Sequence, residues 1–425
     1  MDTVGAERRP LRLAVGVLLF VMGLTFALAR LGPIQEIGHL RVGAPWVMGD
    51  FRHVVYYPTR AFWEGLNPYN ITKYMERYPV DIPVNLYPPA TFLLFAPFGV
   101  LPLELSSKAY FVVTLVLTLV LAWTVLRLAG WRPAAPAVLA VGGLLLLSRP
   151  GHWNLLSGQV TLIAVLATYG ALVFARRAPQ LAGVSLAIAL LKPTFGVPLL
   201  PVLLARGAGR AVAWGLGLAV ALNVPILLIL VRREGGVGAF LTSVAQSVRA
   251  SESNLDAHSI HGVWRVDLIA TISRLLDYPL GFFPGLLVST MVLVLAIVTI
   301  RRLVHSSGSA QQRMMDALVC CAVLLSLYHQ AYDLLLLALP AAALARVLYE
   351  RTRNVIYIAQ LVLFAILALN YFTTQAALTA MELTAGLRLM ILTANGLALA
   401  GLFGLYLVEA NGFQTAGTRV TGSLE

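Results

Sequence analysis

The sequence predicts an all-α membrane protein, a bundle of roughly 10–12 transmembrane helices in a single domain over residues 1–425. The chain is 59% hydrophobic and only 12% charged, whereas soluble domains carry about 25% charged residues. Apolar runs that are long enough to cross a bilayer recur along it. Short arginine clusters separate these runs, and no linker or low-complexity segment divides the chain.

The net charge of +12 comes almost entirely from arginine. A basic protein can bind nucleic acid, but these arginines lie in short joints between apolar runs, which is the pattern of membrane topology. We therefore expect membrane lipids and no nucleic acid as partners. The adjacent Cys320 and Cys321 provide neither a disulfide framework nor a metal-binding spacing, and they indicate two small buried side chains. We expect a monomer without a cofactor.

The first apolar span covers about residues 11–31 and follows Arg8 and Arg9, which places the N-terminus in the cytoplasm. Ala27-Leu28-Ala29 resembles a signal-peptidase site, but the apolar stretch is long for a signal peptide, so we predict an uncleaved anchor. Nine further spans are predicted near residues 103–126, 134–148, 159–175, 210–231, 283–304, 314–328, 332–349, 354–373 and 386–408. These ten crossings leave both termini in the cytoplasm.

Short basic joints connect alternate pairs of spans, as cytoplasmic loops do. They contain Arg127, Arg132, Arg176, Arg177, Arg206, Arg210, Arg301, Arg302, Arg313, Arg346, Arg351 and Arg353. The Arg-rich, Lys-poor composition with much Ala, Leu and Val suggests a bacterial source, so we expect the bacterial inner membrane.

Two segments depart from this alternation. Segment 179–205 has basic joints at both ends, so it should leave and return on the same side. Its 27 residues are too few for two spans, which need roughly 40 residues. We predict two half-helices with Lys192 at their tip. Segment 90–101 is also too short to cross and should dip into the outer leaflet or pack on the bundle.

The two long joints, 33–89 and 232–282, are predicted to be extracytoplasmic loops. Together they hold ten of the nineteen acidic residues and four of the seven histidines. Polar chemistry gathered on one side of so apolar a protein indicates a site that faces out of the cell.

The first loop contains the stretch GDFRHVVYYPTRAFWEGLNPYN, in which Asp50 precedes an aromatic and basic run. Two interpretations of Asp50 stay open on spacing alone. Its carboxylate could cap a helix by accepting a backbone N–H, or it could act as a general base at the membrane surface. Pro58 lies too deep for one continuous helix and should kink or restart it.

Further candidates lie at breaks between apolar spans. A lone ammonium such as Lys192 needs an anion or a water-filled cavity, although it could also extend to the interface. His329 and Asp333 are four residues apart and could hold a metal or a phosphate, or simply cap a helix. The stretch SESNLDAHSIHGVWRV contributes Asn254, His258 and His261. Gln159, at the start of a span, is a cap or a ligand.

Six stretches together resemble glycosyltransferase family 87. They are GDFRHVVYYPTRAFWEGLNPYN, LYPPATFLLFAPFGVLP, SGQVTLIAV, LAGVSLAIALLKPTFGVPLLPVLLARG, HSIHGVWRV and YHQAYDLLLLALP. The resemblance covers about residues 40–350. It implies the GT-C fold, a polyprenyl-phosphate sugar donor and inverting transfer outside the cytoplasm. Pro58 and the histidines of HSIHGVWRV depart from the family pattern, so the first loop and the acceptor subsite are expected to differ.

The resemblance also implies roles for individual residues. Asp50 would be the catalytic base, and Lys192 and His329 would hold the donor phosphate. The remaining substrate-binding candidates are Tyr57, Arg60, Asn67, Tyr69, Tyr87, Gln159, Asn254, His258, His261 and Tyr332. No metal site is expected.

The predicted function is the transfer of one sugar, mannose or arabinofuranose, from a polyprenyl-phosphate donor to an extracytoplasmic glycolipid or glycan. Two alternatives stay open. One is a transporter or flippase of lipid-linked sugars, which would need no carboxylate at the head of the first outer loop. The other is an oligosaccharide polymerase or ligase that uses polyprenyl-linked donors.

Overall fold

The computed structural model describes residues 3–37, 48–80, 87–252, 258–304, 308–350, 354–381 and 383–421. The fold is 80% helical, and the described residues contain no strand, so the all-α prediction is confirmed. In chain order the α-helices are α1 (Thr3–Ile37), α2 (Tyr57–Trp63), α3 (Ile71–Arg77), α4 (Thr91–Leu94), α5 (Ala96–Gly99), α6 (Leu103–Leu128), α7 (Ala135–Leu147), α8 (Arg149–Ser157), α9 (Thr161–Phe174), α10 (Pro179–Ala189), α11 (Pro193–Ala205), α12 (Gly209–Arg233), α13 (Val237–Glu252), α14 (Leu268–Leu275), α15 (Phe282–Leu303), α16 (Ser309–Ser326), α17 (Ala338–Glu350), α18 (Val355–Leu369), α19 (Gln375–Ala380) and α20 (Ala385–Thr421). A π-helical segment, Phe51–Tyr56, precedes α2, and a 3₁₀ segment, Ala331–Leu337, precedes α17.

Six helical segments in the described part of the chain are long and apolar enough to cross a membrane. They are Pro10–Ala29, Leu103–Leu128, Gly209–Arg233, Phe282–Leu303, Ala331–Glu350 and Ala385–Gly412. Helices α7, α9, α10, α11 and α18 are apolar but shorter. Each predicted span coincides with a helix, and the chain is a multi-pass membrane protein. The number of crossings and the orientation stay predictions.

The segment around Lys192 folds as the predicted pair of half-helices. Helices α10 and α11 have 11 and 13 residues, and the chain breaks between them. Lys192 precedes α11 with an extended backbone (φ −115°, ψ 91°), and Pro193 starts that helix, where its missing N–H removes no helical hydrogen bond. Segment 90–101 likewise forms only the single turns α4 and α5.

Helix α16 occupies the centre of the bundle. Every residue from Ala317 to Leu325 is at most 2% exposed, on all sides of the helix. A helix that is apolar all round must be surrounded by protein or by lipid, and here α11, α15, α17 and α20 surround it. Cys320 and Cys321 are both fully buried in this helix, as predicted.

Helices α1 and α7 approach each other closely through small residues. A Cβ atom on Gly143 would lie 2.4 Å from the carbonyl carbon and oxygen of Leu19, and one on Gly23 would lie 2.7 Å from the Gly143 oxygen. No real Cβ atom tolerates such distances. Without a strong hydrophobic driving force between helices in lipid, close backbone contact of this kind is what holds two helices together.

We predict that Gly143→Ala lowers the melting temperature of the detergent-solubilised protein. The added methyl group must push α1 away, and such overpacking costs about 1–3 kcal/mol. Gly217→Ala in α12 is the matched control, because no atom lies within 4 Å of its Cβ position. Alanine favours a helix over glycine, so this control should melt at or above the wild-type temperature. Equal melting temperatures for the two variants would show that α1 and α7 do not pack this way.

Candidate active site

Asp50 lies where the first described part of the outer loop becomes helical. Its own backbone is helical (φ −68°, ψ −39°), and its side chain makes no cap hydrogen bond within the described residues. The interpretation of Asp50 as a helix cap is therefore wrong. The following turn is π-helical, a form that is frequent at functional sites. Pro58 falls in the first turn of α2, which restarts the helix there as predicted.

Lys192 is buried in a closed triangle of hydrogen bonds. Its Nζ donates to the Asp333 carboxylate oxygen Oδ1 and, at 2.8 Å, to Thr161 Oγ1. The Thr161 hydroxyl in turn donates to the same Asp333 oxygen at 2.8 Å. Lys192 is 8% exposed, Asp333 1% and Thr161 0%. The triangle joins the break between α10 and α11, the start of α9 and the 3₁₀ segment.

His329 lies on the other side of the Asp333 carboxylate, as their spacing predicted. His329 Nδ1 is 3.0 Å from Asp333 Oδ2, and Nε2 is 3.1 Å from the carbonyl oxygen of Thr194. Protein contacts therefore occupy both ring nitrogens. His329 is fully buried, with the ring of Phe195 edge-on against it. Neither ring nitrogen of His329 is left open for the phosphate that the sequence predicted it to bind.

The second long loop joins the site through its backbone. Residues 264–266 lie antiparallel to residues 329–331, with main-chain hydrogen bonds of 2.9 and 3.0 Å. Asp267 then caps α14 by accepting from Ala270 N, and its carboxylate pairs with Arg265 at 2.7 Å. These contacts fix the strand-like stretch that carries His329.

Asp50 faces the same cluster from the first loop. It interacts electrostatically with Lys192, Tyr87 and Tyr332. Burial raises the pKa of the Tyr87 hydroxyl well above its usual value, and the carboxylates of Asp333 and Asp50 raise it further. The structure therefore brings together Asp50 and Lys192, which are far apart in the sequence.

Three of the predicted substrate-binding residues line this cluster. Tyr87 donates from its hydroxyl to Gln159 Oε1 at 3.3 Å. Gln159 also accepts, through its backbone oxygen, from the Tyr110 hydroxyl at 3.2 Å. The ring of Tyr332 lies 4.8 Å from Lys192 Nζ. An ammonium over an aromatic face gains electrostatic stabilisation without losing its donors.

The first-loop candidates serve the fold of that loop. Arg60 pairs with Glu64 at 2.7 Å on the half-exposed side of α2. Tyr57 packs against neighbouring tyrosine rings, including Tyr78, whose ring centroid lies 5.1 Å away. Asn67 forms a turn by accepting from the Tyr69 backbone at 3.1 Å. The Tyr69 hydroxyl donates to the Tyr87 backbone oxygen, so it supports the site through a neighbour.

The second-loop histidines form a stacked pair, His258 and His261, with ring centroids 4.9 Å apart. His258 Nδ1 accepts the backbone N–H of Ile260 at 3.2 Å. Burial lowers the pKa of His258, and the neighbouring His261 and Arg265 lower it further. The pair thus lies beside Arg265 and outside the Lys192 triangle. Asn254 lies outside the described residues.

Sequence reasoning missed Thr161, Arg265 and Asp267. Thr161 begins α9, so no carbonyl of its own helix lies four residues before it to accept its hydroxyl. Buried threonines inside a helix usually donate to such a carbonyl. A threonine at a helix start therefore indicates a hydroxyl that needs another partner, and this could have identified Thr161. Arg265 and Asp267 are two residues apart in HGVWRVD, and their spacing alone does not distinguish a buried pair from a solvated one.

The metal interpretation of His329 and Asp333 is not supported. The second oxygen of the Asp333 carboxylate is bonded to the Lys192 ammonium, and a cation beside it would repel a metal ion. In the part of the chain that the structure describes, no group of three or more His, Cys, Asp or Glu side chains could hold one.

Close to Asp50, the buried His53 gives the first loop a sensitivity to acid. Burial, with a smaller contribution from Arg52, lowers the pKa of His53 to about 4. In the unfolded chain the same histidine has a pKa near 6.5, so it is protonated there first as the pH falls. The contribution of neutral His53 to folding stability is therefore present above about pH 6.5 and is lost as the pH falls below it. Between pH 7 and pH 5 the loss is about 2 kcal/mol.

We predict that the melting temperature falls between pH 7 and pH 5 and falls less in His53→Gln. The exposed residue His261→Gln is the control and should behave as wild type. An identical acid sensitivity in His53→Gln and wild type would contradict the assignment.

Comparison with known proteins agrees with this architecture. A family model described as glycosyltransferase family 87 matches residues 85–327, which is 57% of the chain. The matched segment contains Lys192 and Thr161, whereas Asp50 and Asp333 lie outside it. Searches of curated proteins and of solved structures found no match. The helical membrane architecture and a match over more than half of the chain together show that this protein is a membrane glycosyltransferase and belongs to glycosyltransferase family 87.

Proposed function

We propose that this glycosyltransferase takes one sugar from a polyprenyl-phosphate donor and transfers it, with inversion, to a hydroxyl of a glycolipid or glycan acceptor. One observation carries the proposal. A buried ammonium, Lys192, held by Asp333 and Thr161, lies within electrostatic range of a carboxylate, Asp50, that makes no cap hydrogen bond. A cation for the leaving phosphate and a base for the acceptor are the two groups that this reaction needs.

The charged groups of the network are Lys192 and Asp333. Lys192 contributes one positive charge and Asp333 one negative charge. His329 lies against the second Asp333 oxygen through Nδ1 and against the Thr194 carbonyl through Nε2. A lysine ammonium buried in an apolar bundle is costly unless anions surround it. Asp333 is hydrogen-bonded to this ammonium, Asp50 acts on it electrostatically, and a donor phosphate is proposed to join them.

Lys192 is the residue proposed to contact the phosphate. An ammonium has three N–H donors, and two of them are used by Asp333 and Thr161. The third has no hydrogen-bond acceptor among the described residues and is proposed to bind a phosphate oxygen. His329 is proposed to act one step away, by holding the Asp333 carboxylate against Lys192.

The proposed reaction has one bond-making and one bond-breaking event. The acceptor oxygen attacks the anomeric carbon while Asp50 takes the proton of the acceptor hydroxyl. The bond between the anomeric carbon and the phosphate oxygen breaks, and its electron pair stays on that oxygen. Lys192 stabilises the charge that grows there, as preorganised donors do in other enzymes. Polyprenyl phosphate leaves, and Asp50 later releases its proton to water.

The remaining assignments of this proposal come from the sequence and from the surroundings of the site. Tyr87, Gln159 and Tyr332 are proposed to contact the sugar or the phosphate. Tyr87 and Tyr332 both interact electrostatically with Asp50 and Asp333, and Tyr87 donates to Gln159. The sugar is proposed to be mannose or arabinofuranose. The arginine-rich joints favour a site that faces out of a bacterial inner membrane, with both termini in the cytoplasm.

We predict that Asp50→Asn reduces turnover by roughly 10²–10⁴-fold, the usual contribution of a general base, because the amide cannot accept the proton. Turnover is measured with purified protein, synthetic polyprenyl-phosphate mannose and arabinofuranose, and a lipid extract of the source membranes as acceptor. Asp277→Asn is the matched control, since Asp277 is exposed and asparagine tolerates its positive φ of 48°. Full turnover in Asp50→Asn would exclude Asp50 as the base.

We predict that Lys192→Ala weakens the binding of polyprenyl phosphate about 100-fold, because a charge-assisted phosphate contact is lost. The removal also leaves Asp333 less compensated, which could harm folding. The double variant Lys192→Met with Asp333→Asn avoids this imbalance and should also lose binding. Lys108→Ala, on an exposed lysine of α6, should bind normally. Wild-type affinity in both Lys192 variants would place the phosphate elsewhere.

A further inference from the structure

The Thr161 hydroxyl differs from the other buried threonine hydroxyls of the bundle. Those of Thr114, Thr118 and Thr168 each donate to the backbone carbonyl four residues earlier, at 2.8 to 2.9 Å. Thr161 donates to the Asp333 carboxylate and accepts from Lys192. It is fully buried, so these two contacts are made without water. A hydroxyl that bonds both members of a buried ion pair has a different task from one that satisfies a helix carbonyl.

The geometry of the triangle limits what Lys192 can do. A lysine ammonium rotates about its terminal bond, and its four-carbon stem has many rotamers. If Asp333 were the only acceptor, the other two N–H groups of the ammonium could rotate about that hydrogen bond. The second acceptor, Thr161 Oγ1 at 2.8 Å, prevents this rotation, so the third N–H points in a fixed direction.

We infer that Thr161 is a positioning residue that aims the remaining N–H of Lys192 at the leaving phosphate oxygen. The inference rests on the proposed function. It assigns to Thr161 no contact with the substrate and no proton transfer. Its effect belongs to the transition state, because a well-directed donor matters most where charge develops.

The test uses Thr161→Val, Thr161→Ser and Thr168→Val in the full-length protein. Thr161→Val should lower kcat about 10- to 100-fold, the range for losing a hydrogen bond to a charged group. Its KM should change much less. Thr161→Ser keeps the hydroxyl and should restore kcat to within a few fold. Thr168→Val is the matched control, because Thr168 is equally buried in the same helix. It should keep wild-type kcat.

Thr161→Ala is the second variant in case valine beside the charges prevents folding. A merely structural role would lower the melting temperature of the Thr161 variants and leave kcat of the folded fraction unchanged. Wild-type kcat in Thr161→Val or Thr161→Ala, or no rescue by serine, overturns the inference.

The outcome for Lys192 separates this inference from the proposed function. If Lys192→Ala loses polyprenyl-phosphate binding while Thr161→Val keeps wild-type kcat, only the role of Thr161 is wrong. If Lys192→Ala binds polyprenyl phosphate normally, the donor site itself is wrong, and the inference about Thr161 is overturned with it.

Discussion

The buried ion pair between Lys192 and Asp333 is the interaction on which the arrangement of this bundle depends. Burying two charges is costly unless both are fully hydrogen-bonded. Here the hydrogen-bonding side chains lie at helix ends or breaks in the helical backbone. The chain breaks between α10 and α11, α9 begins, and α17 is preceded by a 3₁₀ turn, all beside this pair. In a membrane protein, irregular backbone is tolerated where protein or a polar cavity surrounds it. The pair is therefore a buried polar site inside an otherwise apolar bundle.

The two carboxylates near Lys192 have different surroundings, which suits two different roles. Asp333 accepts four hydrogen bonds, from Lys192, Thr161, His329 and the Gln330 backbone, and its charge is fully engaged. Asp50 lies on the side of the first loop, caps no helix in the described residues and acts on Lys192 electrostatically. The Asp333 carboxylate holds the Lys192 ammonium in place, and Asp50 is the carboxylate proposed to take the proton of the acceptor.

Much of this organisation was predictable from the sequence, and the rest depends on contacts between distant segments. Hydropathy and the position of Lys192-Pro193 predicted the half-helices, because length and charge alone decide that point. The i, i+4 spacing predicted the contact of His329 with Asp333. Spacing could not show that Asp333 also meets Lys192, or that Thr194 occupies the second nitrogen of His329, since both depend on how helices pack.

A cryo-electron microscopy structure with a non-transferable polyprenyl-phosphate sugar analogue would show whether Lys192 binds the donor phosphate. We expect a phosphate oxygen about 2.7–2.9 Å from Lys192 Nζ, with the anomeric carbon on the side that faces Asp50. His329 should still be bonded to Asp333 and to the Thr194 carbonyl. A phosphate bound away from Lys192 would exclude Lys192 as the donor-binding residue, and an anomeric carbon turned away from Asp50 would exclude Asp50 as the base.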